Sequence, residues 1–273
     1  PLGHLSKIIF LILLLKYYIY LYKYFMKNFD FALILTCTID PGNMPNLVRK
    51  NIETRLNDYK KSLNFWINNK DVNKIIFIEN SGSDLSYFRN LVKSENNKEI
   101  EILSTNSNNS YDKNLGKGYG QYLCLKEVFE SSKIAQKTNY FINVTGRYCI
   151  TNFNLILKDI ISNNTNIYIN LSDNLKYADN NIYGGSKKFF TNYVLPETKK
   201  TNDSLNNIFE NCVANATLKA ISDGMSLSKI PLYADIQGFI GTNGKQYKQN
   251  IFKKIKLFFF RKLKIYFFNH KKY

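Results

Sequence analysis

A chain of 273 residues with 44% hydrophobic content is long enough to bury a sizeable core, as one large α/β domain or two small ones, and one is the simpler reading. The formal charge of +17 suggests a nucleic-acid footprint until it is located: residues 1–29 hold four Lys, residues 252–273 hold eight Lys or Arg, and neither end has an acid. Only five net charges remain for the chain between, which argues against a nucleic-acid partner, and the scattered Cys37, Cys124, Cys149 and Cys212 argue against a disulfide framework or a paired zinc spacing.

The N-terminal segment, residues 1–29, is apolar without interruption from Ile8 to Leu15 and then alternates aromatic and aliphatic residues with lysines. At about 100° per residue, Lys16, Tyr20, Lys23 and Lys27 share one helical face. The purely apolar stretch is well short of the ~20 residues needed to cross a bilayer, although snorkelling lysines extend it. An interfacial helix, a single span and a buried helix all fit this pattern.

Residues 30–250 read as the folded domain. Phe31 to Ile39 is a buried strand running into the turn Asp40-Pro41-Gly42, and the three- and four-residue spacing of Ile52, Leu56, Tyr59, Leu63 and Trp66 predicts a helix over 51–68. Strands are predicted at 74–79, 100–103, 139–144 and 166–171, with helices near 85–95 and 121–132. This alternation predicts a largely parallel sheet whose ligand crevice lies at the carboxyl ends of the strands.

The candidate motifs cluster at those ends. Glu79-Asn80-Ser81-Gly82-Ser83-Asp84 sets short acceptor side chains directly after a strand, where they suit either a ribose or base edge or the plain capping of the next helix. Asn114 to Gln121 is Gly-rich and places Lys117 and Gly118 where a helix begins, a pattern suited to a pyrophosphate, though it is neither a Walker loop nor a dinucleotide fingerprint. Thr145-Gly146-Arg147-Tyr148 closes the fourth strand, and a guanidinium there suits a diphosphate or a salt bridge. Glu210 stands among Phe209, Val213 and Ala214 on a predicted helix, as a partly buried base or a capping glutamate, with Asp203 the next candidate.

In this order, from Phe31 to Tyr247, the motifs resemble those of GT-A glycosyltransferases, specifically bacterial enzymes of lipopolysaccharide and capsule assembly. The resemblance implies a Rossmann-like, mostly parallel α/β sheet flanked by helices. It implies that Thr36, Thr38, Asp40, Glu79, Asn80 and Asp84 hold the nucleoside, with Lys117, Gly118, Thr145 and Arg147 at the diphosphate. Asp179, Gly184, Gly185 and Ser186 then line the donor and acceptor cleft, and Glu210 takes the place of the catalytic base of an inverting enzyme. The sequence departs from the family where Asp-x-Asp is expected, since no carboxylate lies between Glu130 and Asp159. Lys117 and Arg147 are therefore expected to replace a metal; the alternative is Mn²⁺ or Mg²⁺ held by Asp173 or Asp179.

Ile236 to Tyr247 is Gly-rich and reads as a lid or a linker. It leads to the tail, residues 251–273, in which Lys253, Lys254, Arg261, Lys264, Lys271 and Lys272 share one helical arc and a run of Phe, Ile and Leu the other. That amphipathicity suits an anionic membrane surface, with a helix docked on the domain as the alternative. The resulting expectation is hexosyl transfer from a nucleotide-sugar donor to a lipid-linked or oligosaccharide acceptor at the cytoplasmic membrane face. A nucleotidyltransferase of related fold and a non-enzymatic basic adaptor are the rival readings.

Overall fold

The computed structural model describes residues 29–95, 97–230 and 234–247. The predicted N-terminal helix and the basic tail lie outside the described residues. In chain order the main elements are β1 (Phe31–Cys37), α1 (Ile52–Ile67), β2 (Lys74–Glu79), α2 (Ser86–Lys93), β3 (Glu99–Ser104), α3 (Lys117–Ser131), α4 (Lys133–Lys137) and β4 (Tyr140–Thr145). There follow β5 (Cys149–Ile150), α5 (Phe153–Asn163), β6 (Ile167–Tyr168), β7 (Ile182–Ser186), a helical run over 187–198 with a π-helical stretch at Phe190–Val194 (α6), α7 (Phe209–Ser222), β8 (Leu227–Ser228) and β9 (Ile236–Gln237).

Seven strands form one sheet in the order β3-β2-β1-β4-β7-β6-β8, and β5 pairs with β9 in a small second sheet. Strands β1 to β4 are mutually parallel; β7 runs antiparallel to β4 and to β6, and β8 is parallel to β6. The expected mostly parallel α/β fold is therefore present, with β7 the single reversed strand. Both faces are covered, so β1 is apolar at successive positions rather than alternately. Leu33 and Leu35 enter a core with Tyr59, Trp66, Phe77 and Phe153, while Ala32 and Ile34 enter the opposite core with Leu125, Val128, Phe190 and Val213. The four cysteines are free and buried.

Three predicted details differ. Helix α3 starts at Lys117, so Gly118 and Gly120 lie inside its first turns rather than ahead of it. The strand expected over 166–171 forms a ladder only at Ile167–Tyr168, with a single further bridge from Leu171 to Ala178. Residues 182–186, read from sequence as cleft lining, are strand β7 in the middle of the sheet. A Cβ on Gly184 would stand 2.8 Å from the Phe141 carbonyl oxygen, and one on Gly185 would stand 2.6 Å from the Phe189 ring, so these glycines permit close backbone packing. The Ser186 side chain accepts from the Phe189 amide and caps α6.

The strand order changes direction between β1 and β4, a topological switch point at which the chain leaves a crevice beyond the strand ends. There Thr36 stands opposite Thr145, and the Gly146 amide donates to the Thr36 carbonyl at 3.0 Å. A Cβ on Gly146 would stand 2.4 Å from that oxygen. Gly146→Ala should therefore cost about 1–3 kcal/mol in chemical denaturation by forcing the strand ends apart; an unchanged midpoint would show that the ends are not so tightly joined.

Candidate active site

The crevice is a cavity of about 440 Å³. Its floor is made by the ends of β1 and β4, and helix α1 holds both. Arg55, 3% exposed, donates from Nε to the Thr38 carbonyl at 2.8 Å and from Nη1 to the Arg49 carbonyl at 3.2 Å. Its Nη2 donates to the Tyr59 hydroxyl at 3.1 Å, which also receives the Thr38 amide at 3.1 Å. One turn and two turns further on, Ser62 Oγ and Trp66 Nε1 donate to the Tyr148 carbonyl at 3.1 and 2.9 Å, fixing the loop that carries Arg147. A buried Arg on the apolar face of α1 is the signal that sequence reading passed over, since fully buried guanidinium groups are rare without a reason.

Arg147 is half-buried in the cavity wall. Its Nε donates to the Phe239 carbonyl at 3.2 Å, and its guanidinium sits against Gly241, where a Cβ would be 2.9 Å from Nη2. Neither Arg55 nor Arg147 has a carboxylate within 4.0 Å among the described residues. The salt-bridge alternative for Arg147 is thereby set aside. Lys117 lines the same cavity at the start of α3; its side chain is accessible, yet its ammonium is held below the ordinary lysine range by burial, with Arg147 acting in the same sense and Glu210 and Asp203 opposing.

Helices α3 and α7 meet at their N-termini: a Cβ on Gly118 would lie 2.6 Å from Phe209 Cβ. Their N-cap positions are Gly116 and Ile208, which make no side-chain cap, so first-turn N–H groups and the positive ends of both helices face the cleft. Gly116 has φ of 85°, and a Cβ there would overlap the Asp203 carboxylate, so only glycine lets Asp203 fold in beside Lys117.

The two carboxylates of the cavity are Asp203 and Glu210. Burial raises the Glu210 carboxyl above its usual range, against the helix amide, Lys117 and an Asn180 Nδ2 donor at 3.0 Å to Oε1, and Asp203 reinforces the rise. Asp203 is raised in the same way, with Lys117 opposing. The last wall comes from far along the sequence. Gly241 accepts from the amides of Val48 and Arg49 at 3.2 and 3.1 Å, and the Tyr247 hydroxyl donates to Asn181 Oδ1 at 2.9 Å. The predicted lid of residues 236–247 is thus seated on the cleft.

Of the residues singled out from sequence, the cavity lining contains Thr36, Thr38, Lys117, Gly118, Thr145, Arg147, Asp203 and Glu210. Other candidates lie outside it. Glu79 is fully buried and accepts from the Ile39 amide at 3.0 Å and from the Ser81 amide at 3.0 Å, tying the β1 and β2 turns together. Asn80 bridges Thr38 Oγ1 (2.7 Å) and the Gly120 carbonyl (3.1 Å), positioning the cleft rather than facing it. Asp84 accepts from the Ser86 amide in the turn before α2, whose N-cap position is Leu85, and Asp40 closes its own turn by accepting from Gly42 at 2.9 Å. Asp179 accepts from Asn181 Nδ2 at 2.7 Å, and Asp173 occupies an exposed turn; neither lines the cavity, nor do Gly184, Gly185 and Ser186. No cluster of three or more His, Cys, Asp or Glu side chains suited to a metal ion occurs among the described residues. Besides Arg55, the structure adds Tyr59, Tyr111, Asn180 and Tyr247 to the lining.

No family model matches the sequence, and no curated protein matches it. Among solved structures the chain is similar to a 4-diphosphocytidyl-2C-methyl-D-erythritol synthase from Anaerococcus prevotii, with 11% identity over 86% of this chain and 97% of that one and a TM-score of 0.41. It is also similar to a nucleoside-diphosphate-sugar pyrophosphorylase from Vibrio cholerae, with 11% identity over 72% and 90% of the chains and a TM-score of 0.43. A protein described as a nucleotide-diphospho-sugar transferase from Desulfovibrio desulfuricans shares 8% identity over 73% and 78%, with a TM-score of 0.42. These likenesses are too distant to carry a residue role across.

A cavity lined by the Arg147 guanidinium, a lysine and two helix N-termini has the chemistry to receive a multiply charged anion. Lys117→Met and Arg147→Met should each weaken calorimetric binding of a nucleoside diphosphate about 10–100-fold, the loss of one charge-assisted hydrogen bond or two. Arg147→Lys should not restore affinity, because an ammonium lacks the two-pronged donor geometry.

Proposed function

We propose that this protein is a glycosyltransferase that moves a hexosyl group from a nucleoside-diphosphate sugar to a hydroxyl of a lipid-linked or growing surface glycan, as in lipopolysaccharide or capsule assembly. The observation that carries the reading is that one cleft gathers the guanidinium of Arg147 and a carboxylate wall, with Glu210 and Asp203, beside which Lys117 stands. In the proposed reaction the acceptor oxygen attacks the anomeric carbon and passes its proton to Glu210. The bond from that carbon to the diphosphate oxygen breaks on the opposite face, inverting the centre, and the nucleoside diphosphate leaves with its charge held by Lys117 and Arg147. The nucleoside occupies the side walled by Thr36, Thr38 and Tyr111. Metal-independent turnover belongs to this reading, because fixed cations already line the diphosphate position and Asp173 and Asp179 stand outside the cavity. The charge at both chain ends supports a membrane-surface acceptor at the cytoplasmic face.

The same crevice suits nucleotidyl transfer, the activity in the names of the synthase and the pyrophosphorylase above. That chemistry takes a nucleoside triphosphate and releases pyrophosphate. Here the segment after β1, residues 40–48, has neither Lys nor Arg to meet a triphosphate. Calorimetry with UDP, GDP and CMP against UTP, GTP and CTP separates the two. Tighter triphosphate binding with pyrophosphate release would establish the second reading in place of the first.

Glu210→Gln should lower turnover about 10²–10⁴-fold while leaving nucleotide affinity unchanged. In the wild type a base whose carboxyl is raised by burial must lose its proton before it acts. The acid limb of the rate profile should therefore lie above the ordinary glutamate range, with activity rising as pH rises through it. Asn180→Ala removes a donor that favours the ionised form and should move that limb to still higher pH; a limb that stays in place, or full activity of Glu210→Gln, would remove Glu210 from the base position.

A further inference from the structure

The walls of the cleft end in exposed apolar side chains. Val48, Leu175, Tyr177 and Leu205 are 67%, 46%, 45% and 73% exposed, half of the eight large apolar side chains exposed among the described residues. They come from three wall segments: Val48 follows Leu47, Tyr177 itself lines the cavity with Leu175 two residues before it, and Leu205 lies between the lining residues Asp203 and Ile208. The backbone holds them there in an unusual way. Among the described residues the four non-glycine positions with positive φ are Asn46 (53°), Asn164 (45°), Leu175 (61°) and Asn206 (55°). Asn164 ends α5, and the other three lie on these segments. A leucine in the left-handed region is rare, and here the turn presents an apolar side chain to solvent instead of burying it.

Charge accompanies the apolar tips. Lys50 and Lys176 are exposed on or next to these segments, Lys199 and Lys245 are exposed elsewhere near the lining in sequence, and Asp40 and Asp173 are exposed acids in the same stretches. The described chain leaves the fold at Tyr247, itself part of the cleft wall, and the eight cations of residues 252–273 begin within a few residues of it. Apolar side chains set among lysines, next to a basic and aromatic continuation, match the interface of an anionic bilayer. We infer that the rim of the cleft docks onto an anionic membrane surface, with Val48, Leu175, Tyr177 and Leu205 entering the headgroup boundary and opening the carboxylate wall toward a lipid-borne hydroxyl. This deepens the acceptor reading above, which placed the membrane contact at the chain ends alone.

The test uses the full chain carrying Val48→Ser, Leu175→Asn and Leu205→Ser together, asparagine being chosen because it tolerates the left-handed turn. Co-sedimentation with phosphatidylglycerol vesicles should show affinity reduced about tenfold or more, in keeping with removal of three inserting side chains, while nucleoside-diphosphate binding stays as in the wild type. Hydrogen exchange of segments 172–178 and 203–208 should slow when wild type meets these vesicles. Unchanged vesicle affinity in the triple variant, or no slowing in those segments, overturns the proposal. So does a change from dimer to monomer on sedimentation with vesicle binding intact, which would make the rim a contact between two copies. If wild type binds vesicles through the rim but binds no nucleoside diphosphate, the transferase reading fails and the docking surface stands.

Discussion

The parallel pairing of β1 with β4, which sets Thr36 opposite Thr145, is the contact on which the rest of this molecule depends. It places two strand ends side by side at the point where the strand order changes direction, and backbone there leaves a crevice that no crossover helix fills. Gly146 lets the chain continue one hydrogen bond past the strand before turning, so that Arg147 enters the cavity wall. Helix α1 then acts as a clamp from one face. Its Arg55 and Tyr59 hold the end of β1 and its Ser62 and Trp66 hold the end of β4, a use of one helical face to register two strands.

Electrostatically the site is poised rather than neutralised. Two guanidinium groups are held by carbonyls and a phenol instead of carboxylates; Arg55 is spent on positioning β1, while Arg147 lines the cavity. In the cavity burial favours the protonated carboxyls of Glu210 and Asp203 and the neutral amine of Lys117, and the opposite charges beside each other offset this in part.

The segment that completes the cleft is the last of the described residues in chain order. Residues 236–247 pair with β5, receive Arg147 at Phe239, anchor Val48 and Arg49 at Gly241, and reach Asn181 through Tyr247; Arg49 also lies 4.0 Å from the centre of the Phe239 ring. Whatever acts on the chain beyond Tyr247 is thus mechanically connected to Arg147 through a few hydrogen bonds.

Periodicity alone located β1 to β4, α1, α2 and the helix of Glu210, because a strand buried on both faces and a helix with one apolar stripe write their environment into neighbouring residues. It also brought the Lys117 and Arg147 motifs to the same sheet edge, since parallel alternation puts successive strand ends together. The family resemblance set Glu79, Asp84, Gly184 and Gly185 at the ligand and the structure places them outside the cavity lining; their polar or small side chains look the same in sequence whether they meet a ligand or satisfy the protein's own backbone. Strand β7 was hidden because its two glycines signal a turn locally, and only the approach of β4 explains them. Arg55, Asn180 and Tyr247 acquire their place from partners 17, 30 and 66 residues away, distances over which no local pattern operates. The sequence by itself determined which elements form and which faces they bury; only the tertiary structure decided which polar side chains the cleft keeps for a ligand, because that depends on hydrogen bonds between segments that meet after the core has closed.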